Sequence, residues 1–127
     1  MVFASDRNVG HLKEHDLQLD GGVSRRLHCF LMMEIRKTVN FAKWIDELRD
    51  MRARARILAR IERLAVGHPG DVKPVGEAVS EMRIDYGPGY RVYFKKKGRS
   101  LIILLAGGDK RTQSRDIKTA LRLARNL

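Results

Sequence analysis

The spacing of apolar residues changes from helical to strand-like and back to helical along this chain, and that order of periods admits few folds. Phe41, Trp44, Ile45 and Leu48 recur at i, i+3, i+4 and i+7, the stripe of an amphipathic helix, with Thr38 or Asn40 as N-cap. Ile57, Ile61 and Leu64 make a second stripe, flanked by Leu58 and Ala65, and Arg52, Arg56, Arg60 and Arg63 line its outer face. The break near Asp50-Met51 is short, so the two helices are expected to be antiparallel neighbours. Gly67 reads as the residue just past the second helix, and Pro69 prevents its continuation.

After His68-Pro69-Gly70-Asp71 the period becomes two. Within Val79–Tyr86, Met82, Ile84 and Tyr86 point one way and Glu81, Arg83 and Asp85 the other. Gly87-Pro88-Gly89 is a hairpin connection to Tyr90–Lys95, where Val92 and Phe94 are on the apolar side. Lys96-Lys97-Gly98-Arg99 turns the chain again. Leu101–Ala106 is apolar throughout, as a strand covered on both faces would be, and Gly107-Gly108-Asp109 is expected to end it. A last helix follows, with Ile117, Ala120, Leu121 and Ala124 inward and Thr112 or Ser114 as cap. Ile35–Val39 reads as a short first strand. The expected fold is α+β: two N-terminal helices packed on an antiparallel sheet, with a C-terminal helix.

Charge divides the chain. There are 26 Lys and Arg against 15 Asp and Glu, a net charge of +11. Residues 1–32 hold four of each sign, so 22 basic and 11 acidic residues remain in 33–127 and carry the whole excess. Such an excess attracts a polyanion or an acidic partner. Residues 1–32 have no sustained period and contain the breaker Asp20-Gly21-Gly22; they are expected to be an unstructured, dispensable extension, with one domain over 33–127. The single cysteine, Cys29, excludes a disulfide framework or a cysteine-based zinc site within one chain. No apolar run approaches the roughly 20 residues of a membrane span, and the first residues lack the order of a signal peptide, so the cytoplasm is the expected location.

If the helices cover the Met82, Ile84, Val92 and Phe94 side, the other face presents Arg83, Arg91, Tyr93 and Lys95 together. Cross-strand neighbours in a hairpin lie within roughly 5–8 Å, so Arg83 and Arg91 can bear on one phosphate. Lys110 and Arg111 follow the apolar strand where it enters a helix, a place that favours anions. Tyr93 is a candidate stacking surface for a base, and Lys95, Lys96 and Lys97 are candidate substrate-binding cations. The Gly-x4-Gly-Lys-Ser/Thr phosphate loop, metal-ligand spacings and hydrolase triads are absent, and neither a metal nor a cofactor is expected.

The runs Phe41–Asp50, Gly76–Phe94 (with Gly87-Pro88-Gly89-Tyr90-Arg91-Val92-Tyr93) and Leu104–Ile117 (with Gly107-Gly108-Asp109-Lys110) resemble the addiction-module killer branch of the RelE/ParE toxin superfamily, close to HigB. The resemblance covers 33–127 and implies a RelE-like fold and a bacterial toxin encoded beside an antitoxin, a small helix-turn-helix protein. RelE- and HigB-like members cut mRNA in the ribosomal A site; since RNA carries its own nucleophile, attack of the 2′-OH on the adjacent phosphate is the expected route. By this resemblance Arg91 matches the strand arginine of the RelE site, Arg111 with Lys110 matches the basic residue before the last helix, and Arg83 lies on the strand that carries lysines in RelE. Arg83 and Arg91 would then meet phosphate charge, and Lys110 and Arg111 would position substrate or stabilise the leaving group. The family's C-terminal tyrosine aligns with Ile117, which leaves Asp116 or Tyr93 as substitutes in acid–base chemistry. A ParE-type gyrase inhibitor and a non-catalytic RNA-binding module are the alternatives.

Overall fold

The computed structural model describes residues 32–127; the extension expected over 1–32 falls almost wholly outside them. Strand β1 (Glu34–Lys37) leads into helices α1 (Val39–Glu47) and α2 (Met51–Ala65). Strands β2 (Val72–Gly76), β3 (Val79–Ile84), β4 (Tyr90–Lys97) and β5 (Leu101–Asp109) follow, then a 3-10 turn (Lys110–Thr112) and helix α3 (Gln113–Arg125). The fold is α+β, a five-stranded mixed sheet with three helices, and the strand order is β1-β5-β4-β3-β2.

The helix ends form where local chemistry directs. Of the two candidate caps, Thr38 is the one used: its hydroxyl accepts from Phe41 N at 3.1 Å and donates to Leu105 O at 2.6 Å, tying α1 to the sheet. The Asp50 carboxylate accepts from Arg52 N and Ala53 N, which stops one helix and starts the next. Gly67, with φ +93°, closes α2: its N–H donates to Leu64 O at 3.1 Å and His68 N–H to Arg63 O at 2.8 Å, a Schellman arrangement.

Several expectations need correction. The sheet is mixed and not antiparallel, because β1 runs parallel to β5 from Glu34↔Leu101 to Lys37↔Leu104. The long excursion through α1, α2 and the meander supplies the crossover that parallel pairing needs. Strand β2 has no alternating signature. It lies at the sheet edge, where Pro74 costs no internal ladder bond. Strand β5 does not end at Gly107 but runs through it to Asp109.

The helices also lie on both faces of the sheet. One core joins Phe41, Ile45, Ile57, Ile61 and Leu64 of α1 and α2 to Met82, Ile84, Val92, Phe94, Ile102 and Leu104. A second core, on the opposite face, joins Ala120 and Ala124 of α3 to Val79, Tyr93, Ile103, Leu105 and Ala106. The wholly apolar run in β5 is therefore covered twice, as its composition requires. The inward face of α3 is Asp116, Ala120 and Ala124, with Ile117 and Leu121 only partly buried, so the helix is rotated from the expected face.

A bulge sets the geometry at the end of β5. Tyr93 pairs with Ala106 and Phe94 with Leu104, leaving Leu105 extra. Leu105 and Ala106 both enter the α3-side core, and the alternation resumes out of phase. Gly107 then lies directly under the Trp44 ring of α1 and Gly108 under the Asp116 carboxylate of α3, each so close that a Cβ would overlap its neighbour. Trp44 is fixed by Phe41 (ring centroids 5.7 Å apart) and Tyr90 (6.2 Å), so its ring has little room to retreat. Gly107→Ala is expected to cost about 1–3 kcal/mol by overpacking. The loss should shrink in a Trp44→Leu background, as read by thermal melts of the four proteins of that cycle.

Candidate functional site

Strand register brings two arginines together. Arg83 pairs directly with Arg91, and Arg91 pairs with Gly108, so the three stand in one row across β3, β4 and β5. Like charges opposite each other on a ladder repel. The compensation is Glu81, two residues before Arg83 and opposite Tyr93. Its side chain is fully buried, and one carboxylate oxygen accepts from Arg83 Nε at 3.3 Å. The other accepts from Tyr93 Oη at 3.0 Å and Gln113 Nε2 at 2.7 Å, with Arg91 Nε at 3.7 Å.

The electrostatics follow from that shell. Burial pushes the Glu81 pKa up, but the hydrogen bonds from Gln113, Tyr93 and Arg83 and the charge of Arg91 outweigh it, and the carboxyl stays below the ordinary glutamate range. Tyr93 moves the other way: burial first, then the charge of Glu81, raise its phenol far above the usual tyrosine value. Tyr93 is thus a locked hydrogen-bond donor. Two guanidiniums against one carboxylate leave one unit of positive charge at the end of the sheet.

Gly108 has a second consequence here. The missing Cβ lets Asp116 and Thr112 approach the strand, and the Thr112 hydroxyl donates a short hydrogen bond to the Asp116 carboxylate. Asp109 caps the 3-10 turn through Arg111 N at 2.9 Å and also receives Arg111 Nη2 at 3.2 Å. The turn carries Lys110 back toward the β3–β4 hairpin, where the Lys110 Cβ and an Arg91 terminal nitrogen both lie beside Gly89.

Arg83 and Arg91 therefore converge, with Lys110 on the adjoining turn, whereas the other candidates separate. Arg111 is 82% exposed in the 3-10 turn before α3 and is held by Asp109. Lys96 and Lys97 are exposed at the far end of β4, opposite Ile102 and Leu101, and Lys95 pairs with Ile103 on the way there. The open-face expectation fails for two residues. Tyr93 has no accessible ring on which a base could stack, and the Arg91 side chain is only 12% exposed, because α3 covers this part of the sheet. Ile117 packs at the edge of the α3-side core. On α2, Arg60 is structural, donating to the backbone oxygens of Arg83, Pro69 and Asp71, and Arg56 stands 4.7 Å from the Tyr86 ring.

Sequence reasoning missed Glu81 and Gln113. Glu81 was visible as the i−2 neighbour of Arg83 on an alternating strand, and pairing Arg83 with Arg91 would have put it against Tyr93. Gln113 carried no such signal, since only the packing of α3 brings it there. Among the described residues no cluster of His, Cys, Asp and Glu could hold a metal ion, and no helix is long and apolar enough to cross a membrane.

The description "Phage derived protein Gp49-like (DUF891)" matches residues 43–127, a stretch that contains every residue of this site. The chain belongs to the Gp49-like family. It is a toxin-like family, related to RelE and HigB. A Haemophilus influenzae relative, described as an uncharacterized protein, is 48% identical over 97 residues, which cover 76% of this chain and 98% of the relative. No solved structure matches the chain. In Gp49-like terms, the matched segment begins in the middle of α1 and takes in the whole of α2, the β2–β5 meander and α3.

Proposed function

We propose that this Gp49-like protein is the toxin of a toxin–antitoxin pair, a RelE-like ribosome-dependent endoribonuclease that cuts mRNA without a metal. The observation that carries the reading is the row Arg83–Arg91–Gly108, two guanidiniums oriented by one buried carboxylate, with Lys110 on the adjoining turn. In the reaction the 2′-oxygen bonds to phosphorus, the bond from phosphorus to the 5′-oxygen breaks, and the products are a 2′,3′-cyclic phosphate and a 5′-OH. The 2′-OH loses its proton and the 5′-oxygen gains one. Arg91 and Arg83 meet the charge that grows on the phosphoryl oxygens, and Lys110 positions the strand and steadies the leaving oxygen. Fixed cations in a partly buried site supply this stabilisation without reorganising.

The proton steps have no strong agent on the protein. Tyr93 is held protonated against Glu81, and Asp116 is buried under Gly108 with its carboxylate occupied by Thr112. A site so equipped orients and stabilises but moves protons poorly, which supports dependence on the ribosome to present the mRNA. The partner expected in the resting cell is an acidic antitoxin that neutralises the basic surface. Purified protein is expected to cut mRNA on programmed ribosomes and to leave free mRNA intact. Inhibition of gyrase supercoiling with no cleavage in either condition would replace this reading with a ParE-type one. RNA binding with neither activity would leave only a binding module.

A further inference from the structure

The exposed side of α3 and of the turn before it presents a shallow, open groove, separate from the Arg83–Arg91 row. Arg115, Lys118, Arg122 and Arg125 line it at successive steps of three, four and three residues, so these four share one face of α3, and Arg111 of the preceding turn extends the row. At 1.5 Å per residue the four cations of α3 span about 15 Å. Its outer members are partly neutralised: Arg111 meets Asp109 at 3.2 Å, and Arg125 makes two bonds to Glu77, at 2.9 and 2.8 Å. Arg115 lies 3.8 Å from Asp116. Among the described residues no carboxylate pairs with Lys118 or Arg122. The two bonds from Arg125 to Glu77 also join the end of α3 to the β2–β3 turn.

We propose that this groove docks the phosphate backbone of double-helical RNA, a second RNA contact distinct from the strand that is cut. The lining is entirely Arg, Lys, Ser and Thr. A protein partner would need apolar or aromatic anchors at the centre of its contact, and the groove offers none. A single strand held with its bases splayed would need aromatic rings to stack on, and these are missing too. Evenly spaced cations with the Ser114 and Thr119 hydroxyls between them suit recognition by shape, through phosphates and 2′-hydroxyls. The choice of RNA over DNA rests on the proposed function; the polyanionic duplex backbone itself does not.

Binding can be read without cleavage. Fluorescence anisotropy with a labelled RNA hairpin over a range of KCl concentrations, using the full chain and Lys118→Glu/Arg122→Glu, tests the groove. The expected result is at least a tenfold loss of hairpin affinity in the variant. The slope of log K against log salt should also become shallower by about two, one per phosphate contact removed. Thermal melts of both proteins check folding, and Lys118→Gln/Arg122→Gln gives a milder loss of the same kind if the effect is electrostatic. Equal hairpin affinity in the folded variant overturns the proposal, as does a preference for single-stranded RNA or for an acidic peptide. Preference for a DNA duplex over the RNA hairpin keeps a duplex-binding groove but overturns the RNA assignment. None of these outcomes depends on whether the Arg83–Arg91 row cuts RNA.

Discussion

Glu81→Ala is expected to lower stability by about 3–5 kcal/mol, the cost of leaving a buried charged network without its counter-ion. Two guanidiniums would face each other across β3 and β4, while Tyr93 and Gln113 would lose the acceptor they share. Domains of this size have total stabilities of about 5–15 kcal/mol, so the change consumes a large part of the whole. Glu81→Gln keeps the volume and some hydrogen bonds but not the charge, and should melt between the two. The pH dependence gives an independent reading. The folded pKa of Glu81 lies below that of an ordinary, unfolded glutamate, so its stabilisation is complete above the ordinary glutamate range and is lost as the pH falls through the lower, folded pKa. Denaturant titrations through that acid range should show a flatter loss of stability for Glu81→Gln than for the natural chain. Identical acid limbs would mean that Glu81 is not the charged centre of this network.

Arg91→Ala should reduce ribosome-dependent cleavage by about 10²–10³, roughly 3 kcal/mol of transition-state stabilisation. From the sequence Arg91 reads as a cation on the sheet face away from the helices. At 12% exposure against Glu81, its removal should also lower the melting temperature, though by less than Glu81→Ala, because Tyr93, Gln113 and Arg83 still serve the carboxylate. Arg91→Lys should recover only part of the rate, since an ammonium cannot present two parallel N–H groups to a phosphate. Single-turnover cleavage of ribosome-bound mRNA measures the rate, with circular dichroism melts as the folding control. A folded Arg91→Ala protein cutting at the natural rate would remove this residue from the mechanism.

The difference between these two residues marks where sequence reading stops. Periodicity located α1, α2, β3, β4 and α3, and Thr38, Asp50 and Gly67 marked helix ends, because capping and hydrophobic patterning act over a few residues. Strand β2, with Pro74 and no alternation, gave no local signal, and neither did the direction in which the four residues of β1 would pair. Arg83 and Arg91 were legible as neighbours because a hairpin fixes its own register.

Left to itself, then, the sequence determined the three helices and the β3–β4 hairpin, the concentration of positive charge in residues 33–127 and the pairing of the two arginines, all consequences of chemistry within one helix or one hairpin. Only the tertiary structure decided what surrounds them. The side of the sheet on which α3 packs, and the out-of-phase bulge at Leu105, bury Tyr93, bring Gln113 to Glu81 and lay Asp116 over Gly108. Those contacts join residues up to 32 positions apart, and no local period encodes them; they follow from the need to cover both faces of an apolar strand.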